Sequence, residues 1–375
     1  MKYMGSKRAM LQNGLGDVLA REVGLAGRFV DLFSGSGAVA VHVAQRYEIP
    51  VLAFDLQRFS AVLAGAVIKR NATLDSQDIW QRWEQDAKAR LKRRRVLPVE
   101  KVTRAVVAGF RTWCSRQVTA PITAAYGGHY FSPRQAVWID SLRATLPQGE
   151  PARTVALAAL VQAASECAAA PGHTAQPFQP TRTGKHHLEE LWRRDVVQRT
   201  KHALAALSDK FAKKRGRAQV ADANDAVRNL REGDLAFIDP PYSGVQYSRF
   251  YHVLETIVRG ECGTVSGVGR YPAPDRRPHS NYSLKTKSAA ALDELLWVAA
   301  ARRARAILTF PDHECSNGLS GGVVREIASR HFRISEWIVH SKFSSLGGTG
   351  DDRNDEAGRA PLRAREELML VLEPR

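Results

Sequence analysis

The sequence Asp-Pro-Pro-Tyr at 239–242 contains residue types that suit chemistry on an amino group. It follows the apolar run 235–238, which is typical of a buried strand. Pro240 and Pro241 end the strand and stiffen the turn, so that the Asp239 carboxylate and the Pro240 carbonyl point in fixed directions. These two acceptors suit the two hydrogens of one exocyclic amine, whose lone pair then stays free for a methyl group. Tyr242 offers a flat face for stacking a base; the alternative is an ordinary Pro-Pro turn beside a surface tyrosine.

A glycine-rich turn lies near the start of the chain, between a strand pattern and a helix pattern. Gly35 and Gly37, in the sequence DLFSGSGAVA, allow a tight turn and the close approach of a ligand to the backbone. Asp55 ends the next strand pattern, where an acid can hydrogen-bond the hydroxyls of a ribose. Asp31 lies in the turn itself and suits a cationic amino group, which S-adenosylmethionine carries and a nicotinamide cofactor lacks. The turn therefore predicts S-adenosylmethionine, with a purely structural turn and a helix-capping acid as the alternatives.

Alternating strand and helix patterns surround both motifs. The chain begins the alternation with a strand at 28–33, a helix at 38–47, a strand at 51–55 and a helix at 60–71. Strand patterns resume at 218–221, 235–238, 305–310, 337–340 and 367–372. This order is typical of an α/β fold with a doubly wound, Rossmann-like sheet. We predict that residues 1–75 and 216–375 form this sheet domain, and that residues 76–215 form an inserted, mainly helical domain for target recognition.

Basic residues concentrate in the predicted insertion. The chain carries a net charge of +17, and residues 76–217 hold 25 Lys and Arg against 11 Asp and Glu, a net charge of +14. This excess favours a polyanionic partner, because Lys and Arg neutralise the phosphates of nucleic acids. Two basic runs are predicted to bind DNA, with solvated helix faces as the alternative. They comprise Lys92, Arg93, Arg94 and Arg95, and Lys213, Lys214 and Arg215.

The composition also disfavours several other classes of protein. The four cysteines are scattered, which predicts neither a disulfide framework nor a zinc site, and no metal is expected. The longest apolar runs fall short of the roughly 18 residues that a membrane span needs, and residues 1–10 lack an apolar signal region. We expect a cytoplasmic, nucleoid-associated protein that is a monomer or a weak dimer and does not bind membranes.

Several segments together resemble the Dam-like alpha group of N6-adenine DNA methyltransferases. They read MKYMGSKRAM, DLFSGSG, AFDLQ, GGHYFSPRQAVWIDSLR and IDPPYSGVQYSRFYHVLE. The stretch DPPYSGVQYSRFYHVLE is also similar to methylases of type IIS restriction-modification systems. The resemblance implies a class I methyltransferase sheet, S-adenosylmethionine as the cofactor and double-stranded DNA as the partner. A cognate restriction endonuclease would be a second partner.

The resemblance also implies roles for single residues. Those that would hold the cofactor are Tyr3, Gly5, Lys7, Asp31, Phe33, Gly35, Gly37, Asp55 and Asp225, with Asp239 beside them. Among them, Lys7 would lie near the methyl donor and the target base. Asp55 would hold the ribose, and Asp225 would contact the adenine of the cofactor, with Asp222 as the alternative.

The expected function is site-specific methylation of adenine N6 in duplex DNA. Because the amine is out of reach inside a duplex, the target base must be flipped out. Three alternatives stay open: N4-methylation of cytosine, methylation of adenine in RNA, and a non-catalytic DNA-binding regulator on the same fold. The roles of Tyr247, Tyr251, His252 and Glu255 stay open between the pocket and simple packing.

Overall fold

The computed structural model describes residues 7–92, 102–343 and 363–375. The chain divides into two compact units. A helical unit comprises Ala72–Lys210 and Ser248–Pro278. A sheet unit comprises the described parts of Met4–Asn71, Phe211–Tyr247 and His279–Arg375.

The strands of the described ranges are numbered in chain order. They are β1 (Arg28–Asp31), β2 (Val51–Asp55), β3 (Arg217–Val220), β4 (Asp234–Ile238), β5 (Val265–Ser266), β6 (Tyr271–Pro272), β7 (Arg305–Pro311), β8 (Phe332–Phe343) and β9 (Arg363–Pro374). The α-helices are α1 (Arg8–Gln12), α2 (Leu15–Val23), α3 (Ala38–Arg46), α4 (Arg58–Ile68), α5 (Ser76–Leu91), α6 (Arg104–Ser115), α7 (Pro121–Tyr126), α8 (Pro133–Ala144), α9 (Ala152–Cys167), α10 (Lys185–Arg193), α11 (Val196–Ser208), α12 (Ala223–Ala226), α13 (Tyr247–Arg259), α14 (Ser288–Ala301) and α15 (Gly321–His331). Short 3-10 turns cover Val227–Asn229, Pro274–Arg276 and Asn281–Ser283.

Seven strands form the sheet, in the order β3-β2-β1-β4-β7-β9-β8. The pairings from β3 to β7 are all parallel, and β9 runs antiparallel to both of its neighbours. Every residue of β4 is buried, as expected for a central parallel strand that is covered on both faces. The mostly parallel α/β sheet that the sequence predicts is therefore confirmed.

Helices cover both faces of this sheet, and the alternation of side chains along each strand supplies the two cores. Phe29 and Phe237 point to the face that carries α3 and α4, and their ring centroids lie 6.4 Å apart. Val30 and Ile238, the next residues along β1 and β4, point to the other face and pack with residues of α14 and α15. Burial on both faces fixes the pairing register, because a slip by one residue would exchange the two cores.

The helical unit extends beyond the predicted insertion. Its first segment, Ala72–Lys210, lies close to the predicted range 76–215, but it also contains Ser248–Pro278, which the prediction assigned to the sheet domain. The Tyr126 hydroxyl contacts Thr256 Oγ1 at 2.9 Å, and Arg143 Nε donates to the Ile257 carbonyl at 2.7 Å. The apolar side of α13 is thus part of this unit's own core. That the unit recognises DNA stays a prediction.

Most predicted elements of the sheet unit are present with shifted ends. The first strand ends at Asp31 instead of residue 33, because the backbone there already enters the glycine turn. The helix predicted at 60–71 begins at Arg58 and ends at Ile68. The strands predicted at 337–340 and 367–372 are the central parts of the longer β8 and β9.

Candidate active site

The glycine turn after β1 has the geometry that its sequence predicts. Gly35 and Gly37 both have positive φ, at 51° and 75°, which residues with a side chain rarely adopt. A Cβ atom on Gly37 would meet the Ala64 backbone at 3.3 Å. The Gly35 N–H donates to Asp55 Oδ2 at 2.8 Å, so the acid at the end of β2 also braces the turn. The turn leaves room for close approach of a ligand to its backbone.

Asp31 ends β1 and is 1% exposed. Burial raises its pKa well above the usual range, and the nearby carboxylates Asp239 and Asp55 raise it further. The Phe33 N–H, which donates to Asp31 Oδ1 at 3.3 Å, acts in the opposite direction. Three acids thus lie near one another at the carboxyl ends of β1, β2 and β4. Such a group is stabilised by a cation that enters among them.

The Asp-Pro-Pro-Tyr segment follows β4 at the same edge of the sheet. Asp239 Oδ1 accepts from the Thr309 hydroxyl at 3.0 Å and lies 2.9 Å from Lys7 Nζ. Within the ranges described, no donor contacts Asp239 Oδ2 or the Pro240 carbonyl. The Pro241 carbonyl is held by Asn317 Nδ2 at 2.8 Å. The turn is therefore fixed at Oδ1 and at Pro241, while the two acceptors that the amine would need remain available.

Lys7 lies between two carboxylates, Asp239 and Glu367 of β9, and its Nζ donates to Glu367. The lysine is 5% exposed and Glu367 is 2% exposed. Burial alone would lower the pKa of Lys7, but the two carboxylates outweigh it and raise the pKa, so the lysine is charged. Burial raises the pKa of Asp239 to about 6; Lys7 opposes this shift, and Glu367 adds to it.

Aromatic rings surround the turn. Tyr242 is half-buried, and its ring centroid lies 6.4 Å from that of Tyr247 in an edge-on arrangement. Phe33 contacts Tyr282 edge-on at 5.0 Å between centroids. Burial raises the pKa of Tyr242 to about 12, so its hydroxyl is neutral at physiological pH. Phe33, Tyr242 and Tyr247 are each half-buried, so part of this aromatic cluster is accessible from solvent.

Four of the predicted cofactor residues remain: Asp222, Asp225, Tyr3 and Gly5. Asp222 accepts from the Asn224 N–H at 2.8 Å and caps α12, and burial raises its pKa. Asp225 lies in α12 and is exposed. Tyr3 and Gly5 lie outside the described residues. The contact of either Asp222 or Asp225 with the cofactor stays a prediction.

The predicted DNA-binding runs are only partly within the described chain. Lys92 is exposed in the helical unit, whereas Arg93, Arg94 and Arg95 lie outside the described residues. Lys213, Lys214 and Arg215 are exposed too, but they belong to the sheet unit and not to the helical unit. Arg215 Nε donates to Asn71 Oδ1 at 2.9 Å. Contact of these residues with DNA stays a prediction.

His252 and Glu255 have structural surroundings in the helical unit. The His252 ring is 2% exposed and lies among Tyr126, Tyr130 and Tyr271, at centroid distances of 5.0 to 5.8 Å. Burial lowers its pKa to about 4, so it is a neutral packed ring. Glu255 pairs with Arg259 at 3.0 Å, one helical turn along α13.

Sequence reasoning missed three residues that hold the Asp-Pro-Pro-Tyr turn or its lysine. Glu367, Thr309 and Asn317 are all buried. An acid at the start of the apolar run ELMLVL was the available signal for Glu367, because a buried carboxylate needs a partner. Thr309 and Asn317 gave no comparable signal.

No helix in the described ranges has the length and apolar composition to cross a membrane. Within the same ranges, no three His, Cys, Asp or Glu side chains lie together as a metal site would require.

The chain is similar in sequence to known DNA methyltransferases. A model of the D12 class N6 adenine-specific DNA methyltransferase family matches residues 3–101 and 125–273. The chain is similar to modification methylase LlaI of Lactococcus lactis subsp. lactis, with 25% identity over 297 residues, covering 77% of this chain and 43% of that protein.

Two further relatives match this chain at a similar level of identity. Modification methylase StsI of Streptococcus sanguinis is 25% identical over 313 residues, which cover 79% of this chain and 42% of that protein. Type II methyltransferase M.FokI of Planomicrobium okeanokoites is 26% identical over 267 residues, which cover 68% of this chain and 36% of that protein. The chain thus spans less than half the length of each of these relatives.

Proposed function

Because the chain belongs to the D12 class N6 adenine-specific DNA methyltransferase family, we propose that it transfers a methyl group from S-adenosylmethionine to adenine N6 in duplex DNA. The main structural support for this proposal is the arrangement of hydrogen-bond acceptors at Asp239 and Pro240. Asp239 Oδ1 is held by Thr309 and Lys7, while Asp239 Oδ2 and the Pro240 carbonyl have no donor among the described residues. One amino group can therefore give a hydrogen to each acceptor.

The residues at the sheet edge fit S-adenosylmethionine. The buried Asp31 has a raised pKa and lies near Asp55 and Asp239, so a sulfonium and an ammonium group would relieve the repulsion among these acids. The positive φ values of Gly35 and Gly37 leave the backbone open to the ligand. Phe33 would line the methionine side, with Asp225 or Asp222 at the adenine.

We infer that the remaining steps are performed by residues of the sheet unit. When bound, S-adenosylmethionine supplies a methyl group on a sulfonium that a neutral nitrogen attacks directly. Asp239 Oδ2 and the Pro240 carbonyl would orient N6 so that its lone pair faces this methyl group. As the new N–C bond forms and the C–S bond breaks, N6 carries one proton too many, and Asp239 Oδ2 is placed to accept it. Catalysis in this scheme is mostly positioning and electrostatics.

Tyr242 would hold the adenine outside the duplex. A base must leave the stack before its amine can reach Asp239. Stacking on an aromatic side chain contributes about 1–3 kcal/mol per base, which offsets part of the cost of unstacking. The half-buried Tyr242 lies in the same short turn as Asp239 and is close enough to feel its charge, which supports a base stacked on this ring with its amine at the two acceptors.

The biological setting is also proposed from the relatives. Two of them are named modification methylases and the third a type II methyltransferase. We propose that the chain marks specific DNA sites and so protects them from a cognate restriction endonuclease. The excess of basic residues at 76–217 supports DNA as the substrate.

Methylation of duplex DNA by the purified chain tests the proposal. The DNA is incubated with methyl-labelled S-adenosylmethionine and digested to nucleosides, and the product is identified by mass spectrometry. We expect N6-methyladenine, and a D239A variant should bind the cofactor but lose methylation. D293A is a matched control, because Asp293 is a half-buried acid of α14 that pairs with His331 and Arg330. Methylation by D239A at the parent rate contradicts the assigned site, and N4-methylcytosine as the product contradicts the assigned base.

A further inference from the structure

A cavity of about 580 Å³ lies at the end of the sheet opposite to the catalytic turn. Arg28 begins β1, Arg217 begins β3, Arg231 precedes β4, and Arg302 follows α14, so all four mark the amino ends of parallel strands. Between β3 and β4 the chain forms only the short α12 and one 3-10 turn, which leave Arg217 and Gln219 of β3 exposed. The cavity extends along one face of β2 and β3 to Phe54 and Gln219, and none of its lining residues belongs to the candidate active site.

The cavity is strongly basic. Five arginines line it, and no Asp or Glu does among the described residues. Arg28 is paired with Asp234, and Arg228 with Glu294. The other three, Arg217, Arg231 and Arg302, have exposed side chains with no carboxylate partner in the part of the chain that the structure describes.

The cavity also has an apolar floor. Leu52 and Phe54 of β2 lie beneath the arginines, together with Leu230. Phe54 is 5% exposed and Leu230 is 1% exposed, so the floor is part of the packed core and is preformed. The volume lies within the roughly 300–1,000 Å³ of sites for small ligands.

We propose that this cavity binds a phosphate ester, with the phosphate held by Arg217, Arg231 and Arg302. A guanidinium group matches phosphate oxygens in a bidentate way, and arginine is preferred over lysine where this geometry matters. The cavity is lined by arginines and contains no lysine. The phosphate ester has two sources, a free nucleotide-sized compound or the backbone of DNA. In both cases it binds at a site separate from the target base and the methyl donor.

Calorimetric titration of the full chain with inorganic pyrophosphate tests the site. Pyrophosphate carries no base and therefore does not compete for an adenine pocket. The variant R217Q/R231Q removes two unpaired charges. The control R46Q/R333Q removes the same charge from exposed positions of the sheet unit that do not line the cavity. We expect affinity for pyrophosphate to fall about tenfold for each cavity arginine removed, and to stay within about twofold in the control.

The same variants distinguish the two sources. If affinity for a 12-base-pair duplex also falls in R217Q/R231Q and not in the control, the phosphate comes from DNA; if only pyrophosphate binding falls, it is a free phosphate ester. Absence of pyrophosphate binding by the parent chain, or equal weakening in both variants, overturns the proposal. Cofactor binding and the rate of methylation at saturating DNA, measured on the same samples, should be unchanged in both variants. Loss of methylation by the parent chain contradicts the proposed function and leaves the pyrophosphate result standing.

Discussion

The substitution E367Q tests how the buried lysine holds Asp239. Glu367 lies on β9 and contacts Lys7, which in turn contacts Asp239 Oδ1 at 2.9 Å. Glutamine keeps the size of the side chain and an acceptor for the lysine, but it removes one negative charge. Glu367 does not touch the reacting atoms in the proposed mechanism, so it is a positioning residue that acts through Lys7.

The expected effects follow from the charges at this site. Loss of a charge-assisted hydrogen bond costs about 1.5–3 kcal/mol, and we expect the free energy of unfolding to fall by that amount. Glu367 also contributes to the raised pKa of Asp239, which is about 6, so its removal lowers that pKa. At pH 5 about one-tenth of the parent molecules carry an ionised Asp239. The ratio of kcat/KM at pH 5 to that at pH 8 should therefore rise in the variant, by up to about tenfold.

The assay is the pH dependence of kcat/KM for DNA methylation, together with urea unfolding at pH 8. E373Q is the matched control, because Glu373 lies on the same strand, is 53% exposed and pairs with Arg305. An exposed pair contributes about 0–1 kcal/mol, so this variant should unfold almost like the parent and keep its pH profile.

The variant K7M should shift the pKa of Asp239 in the opposite direction to E367Q. Removal of the lysine takes away the positive charge that lowers the pKa of Asp239, so the acid limb of the profile should move to higher pH. A purely structural role for Glu367 and Lys7 predicts lower activity in both variants with an unchanged acid limb. That result would refute the reasoning, and so would an acid limb that moves in the same direction in E367Q and in K7M.

Three further predictions concern the turn, the stacking ring and the helical unit. G37A should lower the affinity for S-adenosylmethionine in calorimetry and destabilise the fold by about 1–3 kcal/mol, because φ is +75° and the new Cβ would lie 3.3 Å from the Ala64 backbone. The control G109A, where a Cβ meets nothing within 4 Å, should be neutral or stabilising. Equal losses of affinity and stability in both variants would contradict the role assigned to Gly37. Y242A should lower kcat/KM about 5- to 150-fold while Y242F keeps most of it, since stacking needs the ring and not the hydroxyl; an inactive Y242F would assign the role to the hydroxyl. Burial lowers the pKa of His252 from 6.5 to about 4, so the contribution of the neutral ring to stability is fully present above pH 6.5 and is lost as the pH drops towards 4. H252Q should therefore make the free energy of unfolding in urea depend less on pH over this range. An unchanged dependence in H252Q would show that other groups cause it.

Local patterns in the sequence were sufficient for the two motifs. The glycine turn lies between a short apolar strand and a helix, and the Asp-Pro-Pro-Tyr turn follows a strand that is apolar at four consecutive positions. Asp31, Asp55 and Asp239 each end or follow one of the neighbouring strands β1, β2 and β4, and parallel strands place their carboxyl ends at one edge of the sheet. Their roles in binding remain predictions, but their proximity follows from pattern and topology alone.

The residues that hold Asp239 depend on contacts over long sequence separations. Thr309 is 70 residues away from Asp239, Asn317 is 76 residues away from Pro241, and Lys7 is 360 residues away from Glu367. These contacts exist because β7 lies beside β4 and because β9 enters antiparallel beside β7. Strand patterns predict that these strands form, but they do not give the order of the strands in the sheet.

The alternation along β9 nevertheless contains part of this information. Leu368, Leu370 and Leu372 pack into the core on the α14 side, whereas Met369 and Val371 pack into the core that contains Met10. Glu367 shares its face with Met369 and Val371, and it therefore points to the side of the sheet on which α1 and Lys7 lie. A slip of β9 by one residue would bury the carboxylate in the opposite core, away from the lysine. The ion pair thus favours the register that the apolar side chains also favour, and through Lys7 it links β9 to Asp239 of the Asp-Pro-Pro-Tyr turn.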